Sequence, residues 1–261
     1  MIPKNLETLN SSFSVQAPNF DSKSVNFTKK EYLDYIVTTA SPAKTDIVLE
    51  VAAGTCACGR AFAPLVHTVV CLDATAPMLQ VGKQDARENH LDNMVFVKGY
   101  AEELPFLDNS FDIVLSRLAF HHFTDTDSVF REMVRVLKPG GKLIMIDMEA
   151  ADEPLRKTED EIETLRDPSH VKNLSREEML KMYSDNHLTV EKCEMTKMPL
   201  RLEDWLELTK TAEPAKSNII ERMKADINGG EKTGFDVYKT DNGICFNHRW
   251  VLILGKKDCL S

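Results

Sequence analysis

The chain has 261 residues, 43% of them apolar, and a formal net charge of −9, a size that accommodates one large α/β domain with a small appended cap. No apolar run approaches the roughly 20 residues needed to span a bilayer, and Met1-Ile-Pro-Lys-Asn-Leu-Glu lacks a basic-then-apolar signal pattern. No long Lys/Arg run is present to track a phosphate backbone, so the composition argues against a membrane span and a nucleic-acid partner and sets the cytoplasm as the expected compartment.

Residues 1–28, rich in Ser, Asn and Phe, read as an irregular arm whose Phe13, Phe20 and Phe27 are free to pack over a neighbouring surface. The spacing predicts a helix over 29–39, with Thr28 as its cap and Tyr32, Ile36 and Val37 on one face. From Asp46 strands and helices alternate: strand 47–51, helix 58–65, strand 68–72, helix 75–89, strands 94–98 and 111–116, helix 127–137 and strand 142–147. Such alternation predicts a doubly wound parallel sheet with right-handed crossovers, and strands apolar on both faces fit a sheet covered by helices. Thr124 to Asp127 offers Ser/Thr-x-x-acid capping for the 127–137 helix, and Lys138-Pro139-Gly140-Gly141 reads as its stop and the turn into the next strand.

Beyond Asp147 the character changes. Segments 149–166 and 175–185 are charged and helical in pattern, separated by Asp167-Pro168-Ser169-His170. A strand over 188–198, a helical insertion over 203–228 and a last strand over 247–254 complete the reading as an antiparallel hairpin on the sheet edge with a helical cap. Three regions follow: 1–45 as arm and lid, 46–150 as a cofactor-binding core, and 151–261 as the end of the sheet with cap insertions.

The chemistry concentrates at strand ends. Residues 48–59 read V-L-E-V-A-A-G-T-C-A-C-G, an apolar strand that stops in small residues, and Asp73 closes the next apolar run nineteen positions after Gly54. A glycine turn admits close backbone approach by a ligand, and a carboxylate at the tip of the neighbouring strand is placed for ribose hydroxyls. Ligands of open α/β sheets bind beyond the carboxyl ends of the strands, which makes Gly54, Asp73, 99–102 and 116–122 the candidate wall. The full G-x-G-x-x-G of dinucleotide enzymes is absent. Cys56 stands at the second glycine position, adding a side chain where the cofactor backbone would pass, so a ligand without a pyrophosphate fits more easily.

Five segments in register, 48–59, 69–79, 99–106, 111–117 and 137–141, together resemble class I S-adenosylmethionine-dependent methyltransferases, closest to the ubiquinone/menaquinone-methyltransferase-like branch and its small uncharacterised bacterial relatives. Arg166-Asp167-Pro168-Ser169-His170 and Glu203-Asp204-Trp205 extend the likeness over most of the chain. The resemblance implies a Rossmann-like, seven-stranded, mostly parallel sheet and S-adenosylmethionine as cofactor, with S-adenosylhomocysteine as its product. By position it implies that Glu50 organises the turn near the methionine end while Ala52, Gly54 and Thr55 approach the cofactor. Asp73 holds the ribose, Ala74 and Met78 lie along the adenine, Tyr100, Ala101 and Glu102 form the adenine edge, and Arg117 and Leu118 lie beneath the methionine. Tyr100 replaces the Asp or Asn usual before Ala-Glu.

An activated methyl requires mainly an aligned acceptor and exclusion of water, and a base is optional. His121 and His122, after the fourth predicted core strand, are the candidate catalytic bases, with simple capping of the next loop as the competing reading; His170 is a candidate substrate contact. Cys56-Ala-Cys58 offers too few thiolates for a closed zinc site, and no metal site is expected. A helix N-terminus after the pair would lower a thiol pKa and sensitise Cys56 or Cys58 to oxidation, with core packing as the other reading. The six cysteines otherwise suit reduced thiols. The expected activity is methyl transfer to a small-molecule acceptor; the alternative is a cofactor-binding protein without transfer activity, a sensor or partner subunit. Oligomeric state is not readable.

Overall fold

A computed structural model describes residues 3–21 and 28–259; Phe27 lies outside them. Five parallel strands form the core: β1 (Ile47–Val51), β2 (Thr68–Asp73), β3 (Met94–Lys98), β4 (Phe111–Arg117) and β5 (Leu137–Met148). Antiparallel β8 (Gly243–Lys257) and β6 (Leu188–Arg201) follow at one edge, in the order β3-β2-β1-β4-β5-β8-β6. This is the expected doubly wound sheet, with one addition: a short eighth strand, β7 (Asp236–Thr240), forms a hairpin with the first half of β8. The strand order reverses between β1 and β4, and that switch point opens the crevice in which such sheets bind ligands.

Period-two alternation decides which face each side chain serves. Leu49, Val51, Val70, Leu72, Val114, Leu143 and Met145 pack on one face with α5 (Thr126–Val136) and α7 (Arg176–Asp185). Val48, Val69, Cys71, Ile113, Leu115 and Ile144 pack on the other with α2 (Lys30–Ala40) and α3 (Ala57–Phe62); α4 (Ala76–Glu88) adds Leu79 to that face. A third cluster joins the long ends of β6 and β8 to α6 (Glu153–Arg166), α8 (Leu202–Leu208) and α9 (Ala215–Ile227), with Trp205, Phe246 and Ile162 at its centre. That cluster is the helical cap.

Several local expectations need correction. The arm is not irregular: α1 (Leu6–Gln16) is helical and a 3₁₀ turn follows over Ala17–Asn19. Its Ser- and Asn-rich sequence has little helical preference of its own, and it forms where Leu9 and Phe13 find apolar partners. Thr28 does not cap α2, whose N-cap is Lys29 without a side-chain bond. The cap of α5 is Asp125, which accepts from Ser128 N–H, rather than Thr124. Lys138 to Gly141 is not a free turn, because β5 already starts at Leu137, which pairs with Phe111; Gly140 accommodates the bend at φ 75°. The capping box at α7 is complete, Ser175 Oγ accepting from Glu178 N–H while Glu178 accepts from Ser175 N–H.

Candidate active site

Beyond β1 the chain winds through Ala52, Gly54 and Cys56, all with positive φ (52°, 53° and 61°). For a residue with a Cβ this conformation costs about 1–2 kcal/mol, so Ala52 and Cys56 hold it only because their surroundings fix the loop. The fixing bonds are identifiable. Ala53 N–H donates to Leu72 O at 2.9 Å, and Gly54 N–H donates to Asp73 Oδ2 at 2.7 Å. Thr75 N–H occupies Asp73 Oδ1 at 2.7 Å. Asp73 therefore ties the ends of β1 and β2 together, and with the Thr75 side chain also bonded to it about one of the roughly four lone-pair positions of a carboxylate remains for a hydroxyl donor. Burial raises its pKa, opposed by the Thr75 and Gly54 amides.

Glu50 lies one strand residue before the loop, fully inside the protein, and accepts from Gly59 N–H at 2.7 Å. Burial pushes its carboxyl up to about 7, against the pull of that amide and of Arg117 and Arg60. A cationic ammonium arriving beside it would favour the ionised form.

One pocket gathers all twelve residues that the motifs single out: Glu50, Ala52, Gly54 and Thr55; Asp73, Ala74 and Met78; Tyr100, Ala101 and Glu102; Arg117 and Leu118. Pro3, Leu9, Phe13 and Phe20 of the N-terminal segment line it too. Three tethers hold that segment down. Asn5 Nδ2 donates to His122 O at 2.9 Å, Gln16 Nε2 to Asp167 Oδ2 at 2.8 Å, and Asp21 accepts from Thr55 Oγ1 and Arg60 Nη2, each at 2.7 Å.

Cys56 does not obstruct the pocket. Its left-handed backbone turns the thiol inward, where a Cβ at Gly82 would lie 2.8 Å from Sγ; Sγ donates to Gly54 O at 3.6 Å and lies beside the Cys71 thiol. The thiols are also not activated. Burial pushes Cys58 up to about 12, and Cys71 is raised well above its ordinary value by its bond to Cys56 and by burial. Glu50 beside them and the absence of solvent outweigh any effect of the short α3. Among the described residues no group of three or more His, Cys, Asp or Glu could hold a metal ion.

A second, much smaller chamber adjoins the first, sharing Phe13, Phe20, Leu118 and His122 with it. The two histidines part here. His121 lines only the second chamber, whereas His122 lines both. Asp147, at the end of β5, is 1% exposed and accepts from three backbone amides, Ala119 (2.9 Å), Phe120 (2.7 Å) and Met148 (2.7 Å). It also holds His121 Nδ1 at 2.6 Å. Burial alone would lower the pKa of His121, but the Asp147 carboxylate outweighs it and holds the pKa above 6.5. With Nδ1 engaged, Nε2 is the nitrogen able to take a proton.

His122 is a different object. Its Nδ1 lies 3.0 Å from Ser169 O and 3.1 Å from Ser169 Oγ, and burial together with the neighbouring His121 pushes its pKa down to about 3. It stays neutral and is a poor base at any ordinary pH, which separates it from His121 as a candidate base. His170 pairs with Asp160 at 2.9 Å through Nε2 and stacks near His121 rather than lining either chamber.

The motifs did not point to Asp147, Gln16, Asp21 or His248. Asp147 carried a signal, a carboxylate closing an apolar strand, like Asp73; the others come from segments that only the fold brings to the site.

A family model described as a methyltransferase domain matches residues 49–145. The uncharacterised methyltransferase YcgJ of Bacillus subtilis is 33% identical over 248 residues, 94% of this chain and 97% of that protein. Its crystal structure superposes with a TM-score of 0.81 at 31% identity, covering 88% of this chain and 99% of that one. A methyltransferase structure from Bacillus halodurans, described as putative, gives a TM-score of 0.80 at 27% identity over 87% and 99% of the two chains. The ubiquinone/menaquinone C-methyltransferase UbiE of Hahella chejuensis is 41% identical over 112 residues, 41% of this chain and 45% of its own length. With the motif residues gathered around one crevice and a full-length relative of this similarity, the chain belongs to the class I S-adenosylmethionine-dependent methyltransferases, with UbiE-like relatives.

Proposed function

We propose that this enzyme transfers the methyl group of S-adenosylmethionine to a small-molecule acceptor seated in the second chamber, with His121 as general base. The observation that carries the reading is the pair of contiguous chambers: one built from the cofactor motifs, the other holding a buried His–Asp pair, with Phe13, Phe20, Leu118 and His122 between them.

The cofactor fits the residues present. Asp73 keeps acceptor capacity for a hydroxyl, Met78 and Ala101 offer apolar surface to a purine, and Glu50 is a carboxylate for an α-ammonium. When bound, S-adenosylmethionine supplies a methyl already activated on a sulfonium, so the protein has little covalent chemistry to do. Its own tasks are alignment, exclusion of water and removal of a proton. Phe13 and Phe20 line both chambers, and the three tethers from Asn5, Gln16 and Asp21 support reading the described segment 3–21 as the covering part of the N-terminal lid. Asp147 keeps His121 in the tautomer whose Nε2 accepts a proton and stabilises the imidazolium that results. His122, neutral, packs edge-on against Phe13, their ring centroids 5.0 Å apart, and shapes the opening.

Residues 46–150 then hold the cofactor and 151–261 complete the sheet and carry the acceptor side. The acidic net charge disfavours a nucleic-acid acceptor, no helix among the described residues is long and apolar enough to cross a membrane, and the buried free thiols Cys56, Cys58 and Cys71 fit a reducing cytoplasm. A binding protein without turnover had Cys56 among its supports, and Cys56 lies outside the pocket lining. The test is incubation with S-adenosylmethionine and fractionated metabolite pools, following S-adenosylhomocysteine. Acceptor-dependent formation is expected; binding without turnover across broad pools would overturn the reading.

A further inference from the structure

The second chamber is polar in an uneven way. One carboxylate, Asp167, lines it, and a second, Asp147, holds the lining His121; both are engaged by internal donors. Asp147 serves three amides and His121, and Asp167 takes Gln16 Nε2 on Oδ2 at 2.8 Å and Ser169 N–H and Oγ on Oδ1 at 2.9 and 2.6 Å. The donors are less fully used. Arg166, 9% exposed, lines the chamber from the last turn of α6. Its guanidinium carbon lies 4.5 Å from the Trp205 ring centroid, and Nη1 sits 3.3 Å from Glu163 Oε2. Nε has no hydrogen-bond partner. His248, 5% exposed, faces the same space from β8; its Nε2 lies 3.3 Å from Glu163 Oε1, and neither ring nitrogen makes a well-formed hydrogen bond.

Buried polar atoms are almost always satisfied, and an orphan in a chamber wall calls for a ligand. Trp205 fixes the guanidinium plane and Glu163 takes one end of it, which leaves the Nε edge as the fork to which a carboxylate binds in bidentate fashion. The remaining wall is apolar or aromatic: Phe13, Phe20, Leu118, Met148 and Trp250.

We propose that the acceptor is a carboxylate-bearing small molecule whose compact, ring-sized body packs among Phe13, Phe20 and Trp250 and whose carboxylate is held by Arg166. Arg166 is then a specificity-determining residue, and His248 Nδ1 is the second polar handle beside it. The assignment deepens the proposed function and rests on it. It also gives the Arg166-Asp167-Pro168-Ser169-His170 segment a role: Arg166 reads the acceptor, while Asp167 and Ser169 secure Gln16 of the lid and His122.

The test uses benzoate, benzyl alcohol and benzylamine as probes, titrated by tryptophan fluorescence into the full-length protein with and without saturating S-adenosylhomocysteine. Trp250 reports because it lines the chamber. Benzoate is expected to bind the S-adenosylhomocysteine complex at least tenfold more tightly than benzylamine, with benzyl alcohol between them. Arg166→Gln is expected to remove that preference. Because Arg166→Gln removes the cation beside Glu163, the double variant Glu163→Gln/Arg166→Gln serves as a charge-balanced replacement; it is expected to fold, to keep S-adenosylhomocysteine affinity and to lose benzoate at least tenfold. Benzylamine binding as tightly as benzoate, or unchanged benzoate binding in the double variant, overturns the inference while leaving the proposed function standing. Failure of S-adenosylhomocysteine itself to bind the wild type overturns both.

Discussion

Asp147→Asn removes one acceptor oxygen from a site where every acceptor is used. If the amide oxygen takes the place of Oδ2 it keeps Ala119 and Phe120 N–H, and the new NH₂ group then faces Met148 N–H and His121 Nδ1. Two charge-assisted bonds are lost, at about 1.5–3 kcal/mol each, which sets a destabilisation of about 3–5 kcal/mol, the range for breaking a buried ion pair. The pH dependence follows from the direction of the His121 shift. Its folded pKa lies above 6.5 because of Asp147, so the pair's stabilisation is fully present below 6.5 and is lost as pH rises through the folded value. Urea unfolding of wild type and variant at pH 6 and pH 9 measures both parts. The difference is expected to be larger at pH 6, with a remainder at pH 9 from the amide contacts. A difference below about 1 kcal/mol, or one equal at the two pH values, would refute the coupling of His121 to Asp147 and with it the base assignment.

Further outcomes follow from the same geometry. Asp73→Asn weakens S-adenosylhomocysteine binding by about 30- to 1,000-fold, equivalent to about 2–4 kcal/mol, measured by calorimetric titration; an unchanged affinity contradicts the ribose assignment. Gly82→Ala places a Cβ 2.5 Å from Thr55 O and 2.8 Å from Cys56 Sγ, so thermal melting should show a loss of about 1–3 kcal/mol together with weaker cofactor binding, although Gly82 does not line the pocket. Glu50 has its folded pKa raised by burial from 4.5 to about 7. Its ionisation therefore opposes folding, with no penalty below about 4.5 and the full penalty above about 7. Glu50→Gln escapes it and should gain stability relative to wild type between pH 5 and pH 8, on the order of 3 kcal/mol; a pH-independent difference would contradict the buried-carboxyl reading. Once an acceptor is identified, the turnover rate should rise with pH through a pKa above 6.5, and His121→Gln should lose about 100- to 10,000-fold with a flat profile, whereas His122→Gln should retain the rise.

The strands and the gathering of the motif residues around one pocket were legible because their signals are local. An apolar run ending in a small-residue turn positions Gly54, and a carboxylate closing the next run positions Asp73, whatever the rest of the chain does. The helix α1 was not legible, since Ser11, Ser12 and Asn10 favour caps and turns and its order depends on contacts with distant segments. Cys56 was misread for a related reason: its residue type predicted an obstruction, and only its φ of 61° shows the thiol turning away. The second chamber was least legible of all. Arg166 and His248 lie far apart in sequence and meet only because α6 folds back across the extended end of β8. Asp147 looked like an ordinary strand end until the turn after β4 delivered two amides and His121 to it.

The most direct test of the two-chamber account is a crystal structure of the protein with S-adenosylhomocysteine. The account predicts a ribose hydroxyl within hydrogen-bond distance of Asp73, the homocysteine ammonium beside Glu50, and the sulfur at the junction bounded by Phe13, Leu118 and His122, open toward His121. A ribose bound away from Asp73, or a sulfur walled off from the second chamber, would contradict it.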